Sequence, residues 1–256
     1  LCGIAAFGPA SSAVGALIAY EGFDYTVGTI SLGRSGLVND WNGGTGWAGP
    51  WEDLTNIETP AASVQDAISD IQSGSLSYTD AAGRVLVTSG NKLHNSGTNN
   101  TSRPARNLTS FAINNGTTTW MSFLGQRTGQ SNEVTGLYER GANLSLFNTN
   151  VWFLPGNNAG RVSLGESSNA QAPQPNDTWG FSPLGQGTHR RHSTVPFTNL
   201  SLVVIRIDHH DDNDPNTISN DIDFDDFYIW INPTNLAIEP PISLAYTNYL
   251  ATETNS

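Results

Sequence analysis

The sequence predicts an all-β fold, two antiparallel sheets packed face to face as a sandwich, with little helix. Short apolar runs bounded by Gly, Asn or Pro recur at regular spacing through the middle of the chain, the pattern of strands joined by turns. Only 13% of the 256 residues are charged while glycines number 26, a composition that suits turns and disfavours long solvated helices. Residues 200–233, LSLVVIRIDHHDDNDPNTISNDIDFDDFYIWINP, join a nearly continuous apolar run rich in β-branched residues to a strand with a core side and an aromatic side. A chain of this length can build one sizeable core, so the expected organisation is an N-terminal segment, residues 1–15, and a single sandwich domain, residues 16–256.

The formal net charge of −12 repels phosphates, which disfavours nucleic acid and anionic membrane surfaces as partners and leaves cations and neutral glycans open. Cys2 is the single cysteine, so neither an internal disulfide nor a cysteine zinc cluster is available. Residues 1–13, LCGIAAFGPASSA, read either as the apolar end of a secretory signal or as a first core strand, and are too short to span a bilayer. The signal reading places the protein outside the cell, secreted or at the cell surface.

Taken in order, residues 16–28, ALIAYEGFDYTVG, are expected to form a strand. Residues 40–51, DWNGGTGWAGPW, form a Gly- and Pro-punctuated loop carrying Trp41, Trp47 and Trp51. Three indoles on such a loop either make a stacking platform for sugar rings or fold back over one end of the sandwich. Residues 61–71, AASVQDAISDI, have helical spacing through Val64, Ala67, Ile68 and Ile71, with a loop turn as the alternative. Residues 84–87 are the clearest strand of the following stretch, and residues 118–126, 135–140, 143–147, 151–154 and 160–164 are strands of the sandwich. Residues 173–187 read as a long connection around a rim that leads into the basic cluster 188–192, a natural partner for carboxylates. The strand 200–207 is buried on both faces. Its partner, 227–232, turns Phe227, Ile229 and Ile231 to the core and Tyr228, Trp230 and Asn232 to an aromatic face that meets water or a ligand.

The segments ALIAYEGFDY, GTGWAGPW, GSLSYTDAAGRVLV, TTTWMSFLG, GLYERGANLSLF, VWFLPGNNAGRVSLGE, LSLVVIRID and DFYIWINP together resemble the laminin-G-like, concanavalin A-like jelly-roll domains of exported bacterial proteins. The resemblance implies a two-sheet antiparallel jelly roll, often a calcium site, and binding of carbohydrate or a cell-surface protein at a rim or sheet face. Such domains end on a return strand with an acidic-Ile-Arg pattern, which residues 235–256 lack. A truncated chain or a strand supplied by a partner explains that departure, and the second route implies self-association through an open sheet edge.

The loop between the last two long strands is crowded with aspartates. Asp212, Asp214, Asn216, Asn220 and Asp223 follow the ligand spacing of a calcium loop, although Thr217 replaces the turn glycine and Asp223 the long bidentate Glu. A solvated acidic loop is the other reading. Asp221, Asp223 and Asp226 share the spacing of the catalytic strand in laminarinase-type glucanases, but each Asp is one methylene shorter than the Glu that the retaining geometry uses. The expectation is therefore a non-catalytic module that binds a glycan or cell-surface protein, with Trp41, Trp47, Trp51, Tyr228 and Trp230 as ligand-binding residues and calcium as the implied cofactor. A structural subunit using strand donation and a glycosidase are the alternatives.

Overall fold

The computed structural model describes residues 16–31, 41–53, 67–97, 104–111, 116–128, 143–147, 161–165, 178–182, 191–209, 226–245 and 247–249. Their fold is β-rich, with antiparallel sheets and, among the described residues, a single 3-10 turn at Ile242–Leu244. The chain divides into two compact units, Leu1–Ser77 with Leu86–Ala112 and Tyr78–Val85 with Ile113–Ser256.

The first unit contains β1 (Ile30–Ser31), β2 (Glu52–Asp53), β3 (Ala67–Gln72), β4 (Lys92–Gly97) and β5 (Pro104–Ala105). They form a three-stranded sheet in the order β1-β3-β4 and a two-stranded pair, β2-β5. Tyr25, Trp41 and Ile71 make the core, with Phe23, Trp51 and Leu93 packed against them. Residues 67–72 are a strand and not the helix that their spacing allows. Ser69 and Ile71 are buried while Asp70 between them faces His94 on β4, a period of two that puts alternate residues on opposite faces. Residues 16–28 also depart from expectation. Only Tyr20 makes a bridge, to Thr45, and the left-handed backbone at Phe23 (φ 51°) turns the chain.

The second unit contains β6 (Thr118–Gly125), β7 (Asn143–Phe147), β8 (Arg161–Gly165), β9 (Thr178–Ser182), β10 (Arg191–Pro196), β11 (Ser201–Asp208), β12 (Asp226–Ile231) and β13 (Thr247–Tyr249). They make two four-stranded antiparallel sheets, β10-β9-β8-β7 and β13-β12-β11-β6. Residues 84–87 give no strand, because Asp80 closes a tight turn there. Its Oδ1 accepts from the backbone N–H groups of Ala82 and Arg84, Gly83 adopts a left-handed φ of 79°, and only Val85 bridges back to Thr79.

One apolar cluster takes side chains from both of these sheets. Val203, Ile205 and Ile207 of β11 and Ile229 of β12 are buried with Leu164 of β8, Trp179 and Phe181 of β9, and Phe197. Met121, Phe123, Phe227 and Ile231 pack against them. The rings of Phe123 and Trp179 lie 5.9 Å apart, and those of Phe181 and Phe227 5.5 Å apart. Each buried aliphatic or aromatic side chain here contributes about 1.5–3 kcal/mol relative to exposure. Residues 178–182, expected within the connection 173–187, and residues 191–196, whose first two belong to the expected basic cluster 188–192, are thus strands, and Trp179, Phe181 and Val195 supply their apolar contacts.

The strand β12 ends as its sequence implies. Asn232 takes a left-handed φ of 55° ahead of Pro233, and its side-chain carbonyl accepts the N–H of Leu202, while its own N–H reaches the carbonyl of Leu202. The tail then corrects the expectation that no strand follows. Thr247–Tyr249 pair antiparallel with Ile229, Tyr228 and Phe227, so over these residues the chain's own tail occupies the edge of β12 that an open-edge assembly would need. Residues 1–15, 135–140 and 151–154 lie outside the described residues.

Candidate ligand-binding face

The registers of β6, β11 and β12 decide what their outer face carries. Arg206 is opposite both Trp120 and Tyr228, Val204 is opposite Ser122 and Trp230, and Asp208 is opposite Thr118 and Asp226. These residues share one face because side chains alternate along each strand, and the apolar set Met121, Phe123, Ile205 and Ile229 takes the other. Along β6 this appears directly: Thr118, Trp120 and Ser122 are exposed while Thr119, Met121 and Phe123 are half-buried.

Three aromatic rings form a row on that face. Trp120 and Trp230 stack with centroids 5.8 Å apart at 18°, and Tyr228 lies 6.4 Å from Trp230 at 26°. Trp120 is 44% exposed and Trp230 only 3%, so Trp230 is the floor of the row and Trp120 the ring presented to solvent. The tail pins the floor, since the indole N–H of Trp230 donates to the carbonyl of Pro241 at 3.0 Å. The Arg206 guanidinium lies 5.9 Å from the Trp120 ring and 5.6 Å from that of Tyr228. It donates through Nε to Asp208 at 2.7 Å and through a terminal nitrogen to Glu239 at 2.8 Å. The hydrogen bond from Asp208 leads in raising the Arg206 pKa above its ordinary value. Burial, followed by the nearby charges of Asp226 and Asp208, raises that of the Tyr228 phenol.

The tryptophans of the Gly-rich loop do a different job. A nearly buried ion pair holds the loop: Arg106 meets Glu21 at 2.6 Å, with side chains only 2% and 8% exposed. Glu21 Oε2 also accepts the Tyr25 hydroxyl at 2.8 Å and the Trp51 indole N–H at 2.9 Å, and Oε1 accepts the backbone N–H of Phe23 at 2.8 Å. Arg106 donates to the carbonyls of Gly43 and Gly49 and to the Asn42 side chain. Such a pair offsets the cost of burying two charges only when the remaining donors and acceptors are also matched, as here. Trp41 is completely buried against Tyr25, with centroids 5.9 Å apart, which withdraws it from any display platform. Trp47 and Trp51 are half-buried, their N–H groups are turned to Tyr20 and Glu21, and Trp51 stacks on Phe23. The loop folds back on the apolar core of its own unit, which is not the end of the sandwich that the sequence reading has it cover.

Of the residues expected to bind ligand, the structure brings Tyr228 and Trp230 together on one face. Asp226 lies on the same face, opposite Asp208. The metal candidates Asp212, Asp214, Asn216, Asn220 and Asp223, and Asp221 of the glycosidase alternative, lie outside the described residues. Among the described residues no group of three or more His, Cys, Asp or Glu is placed to hold a metal ion, and no helix is long and apolar enough to cross a membrane. Sequence reading missed Trp120 and Arg206. Each carried a signal: Trp120 is a lone indole between Thr118 and Ser122 on the polar side of an alternating strand, and Arg206 is the single charge inside an apolar run. No family model, curated protein or solved structure matches this chain.

Proposed function

We propose that the chain is an exported, non-catalytic module that binds carbohydrate on the outer face of β6, β11 and β12. In this reading its second unit is a two-sheet sandwich of the concanavalin A-like, laminin-G-like jelly-roll kind. The observation that carries it is Trp120, a solvent-facing indole seated on a buried one and flanked by an arginine and carboxylates. Sugar rings present an apolar C–H face that stacks on such an indole, while their hydroxyls take up hydrogen bonds from neighbouring polar groups. Aromatic rows exposed on a monomer's surface also mark interaction sites in general. The shared core of the two sheets and the recessed floor of Trp230 support a rigid platform, which lowers the ordering cost of binding.

A glycan array probed with the folded chain tests this reading, with a β-linked neutral oligosaccharide the expected class of hit and an array without hits the result that refutes it. Calcium is part of the proposal, held by Asp212, Asp214 and Asp223, and is tested separately. Preferential binding to the folded state raises the melting temperature with calcium concentration, and excess chelator reverses the rise. An identical melting temperature in excess calcium and in excess chelator removes calcium from the account.

A further inference from the structure

The hydrogen-bonding groups around Trp120 divide into those already engaged and those left for a ligand. Arg206 is clamped from two sides, its Nε donating to Asp208 at 2.7 Å and its Nη1 to Glu239 at 2.8 Å. Nη2 has no acceptor among the described residues, and neither has the indole N–H of Trp120 or the hydroxyl of Tyr228. The Arg206 side chain is 23% exposed, so the clamped guanidinium still meets solvent beside the Trp120 ring. A donor fixed in direction before binding needs little ordering when its acceptor arrives.

Three features narrow what that acceptor is. The charge of Arg206 is offset by the two carboxylates it bonds, which leaves little attraction for an anion. Asp208 Oδ1 already accepts from both Thr118 and Arg206. A ligand hydroxyl brings a proton that needs an acceptor of its own, whereas a carbonyl oxygen only accepts. The guanidinium is also planar and lies against the Trp120 and Tyr228 rings, a flat surface that suits a flat amide with its methyl group.

We infer that this face selects N-acetylated sugars, and that Nη2 of Arg206 is the donor that reads the acetamido carbonyl. The inference rests on the carbohydrate-binding reading and gives that site its ligand class. The pyranose ring stacks on Trp120. Its acetamido group then lies over Arg206 and toward Tyr228, because the register puts Arg206 opposite both aromatic residues.

Calorimetric titration of the full chain with β-1,4-linked tetramers of N-acetylglucosamine and of glucose tests it, since the two share linkage and ring geometry and differ only in carrying acetamide or hydroxyl at C2. The acetylated tetramer is expected to bind about tenfold more tightly, the gain of one hydrogen bond from a charged donor. That ratio should survive about 0.5 M salt, because the acetamide is uncharged. It should fall to about one in Arg206→Gln and also in Arg206→Lys, which keeps the charge but not Nη2. Equal affinities for the two tetramers in the unmodified chain, both lost in Trp120→Ala, overturn this inference and leave the carbohydrate reading standing. A preference for the acetylated tetramer that persists in both Arg206 variants overturns it as well, since another group then reads the acetamide. Binding of neither tetramer overturns the inference, and together with an array lacking hits refutes the carbohydrate reading too.

Discussion

Trp120 and Trp230 stack at 5.8 Å although the strands that carry them are not neighbours, because β11 lies between β6 and β12. The two indoles meet over β11, above the positions of Val204 and Arg206, and the contact ties three strands together on the face away from the core. One ring is buried and pinned to Pro241 while the other is exposed, which divides the pair into a support and a contact surface.

The buried pair of Arg106 and Glu21 supports the first unit. Arg106→Ala leaves the buried Glu21 carboxylate without its cation and removes the donors to Gly43 and Gly49, at a cost of about 3–5 kcal/mol. Chemical denaturation followed by tryptophan emission should show that loss, with red-shifted emission as Trp47 and Trp51 gain water. A change within about 0.5 kcal/mol would show that the pair is dispensable.

Asp80 governs acid stability. Burial alone would raise its pKa, but the N–H of Leu236, the guanidinium of Arg84 and the N–H groups of Arg84 and Ala82 pull it well below the usual carboxylate range. A folded-state pKa below the unfolded one contributes stability that is present above about pH 4 and is lost as pH falls through the folded value. Asp80→Asn should therefore lower the melting temperature at neutral pH, and its deficit relative to the unmodified chain should narrow steadily below about pH 4. A deficit independent of pH would assign the role of Asp80 to geometry instead of charge.

Gly125 ends β6 beneath an indole. A Cβ there would lie 2.8 Å from Cη2 of Trp179, closer than carbon atoms approach, in the core that the two sheets share. Gly125→Ala is expected to cost about 1–3 kcal/mol by overpacking. Trp179→Phe, which withdraws the clashing atoms, should be less harmful in that background than alone. Equal effects in the two backgrounds would show that the ring yields freely.

The parts of the fold that were legible in sequence are those whose local pattern matches their burial. The sequence bounds of residues 143–147 agree with the structure, and those of β6, β11 and β12 agree to within a residue, because exposed and half-buried positions alternate along β6, β12 is an unbroken run of aromatic residues and Ile after its first Asp, and β11 is apolar nearly throughout. Strand β9, TWGFS, was hidden by its Gly and Ser, and β10, RHSTVP, by its charges and proline, since their placement depends on pairing across long sequence separations. Strand β3 satisfied both periods, and its partner β4 decided between them. The candidate site was half legible. The alternation in FYIWI gave Tyr228 and Trp230, whereas Trp120 joins them only through the register with β11, which no local window contains. Trp41 is the converse, a loop indole whose burial depends on partners far along the chain.

The central claim is that Trp120 is the ring on which a sugar stacks. Isothermal titration of the array's best neutral oligosaccharide into the unmodified chain and into Trp120→Ala tests it, with the circular dichroism of the two compared to show that the variant is folded. Loss of about tenfold or more in affinity is predicted, the worth of one aromatic stacking partner with its buried area. Equal affinity in a folded Trp120→Ala variant would contradict the account and move the binding site away from this face.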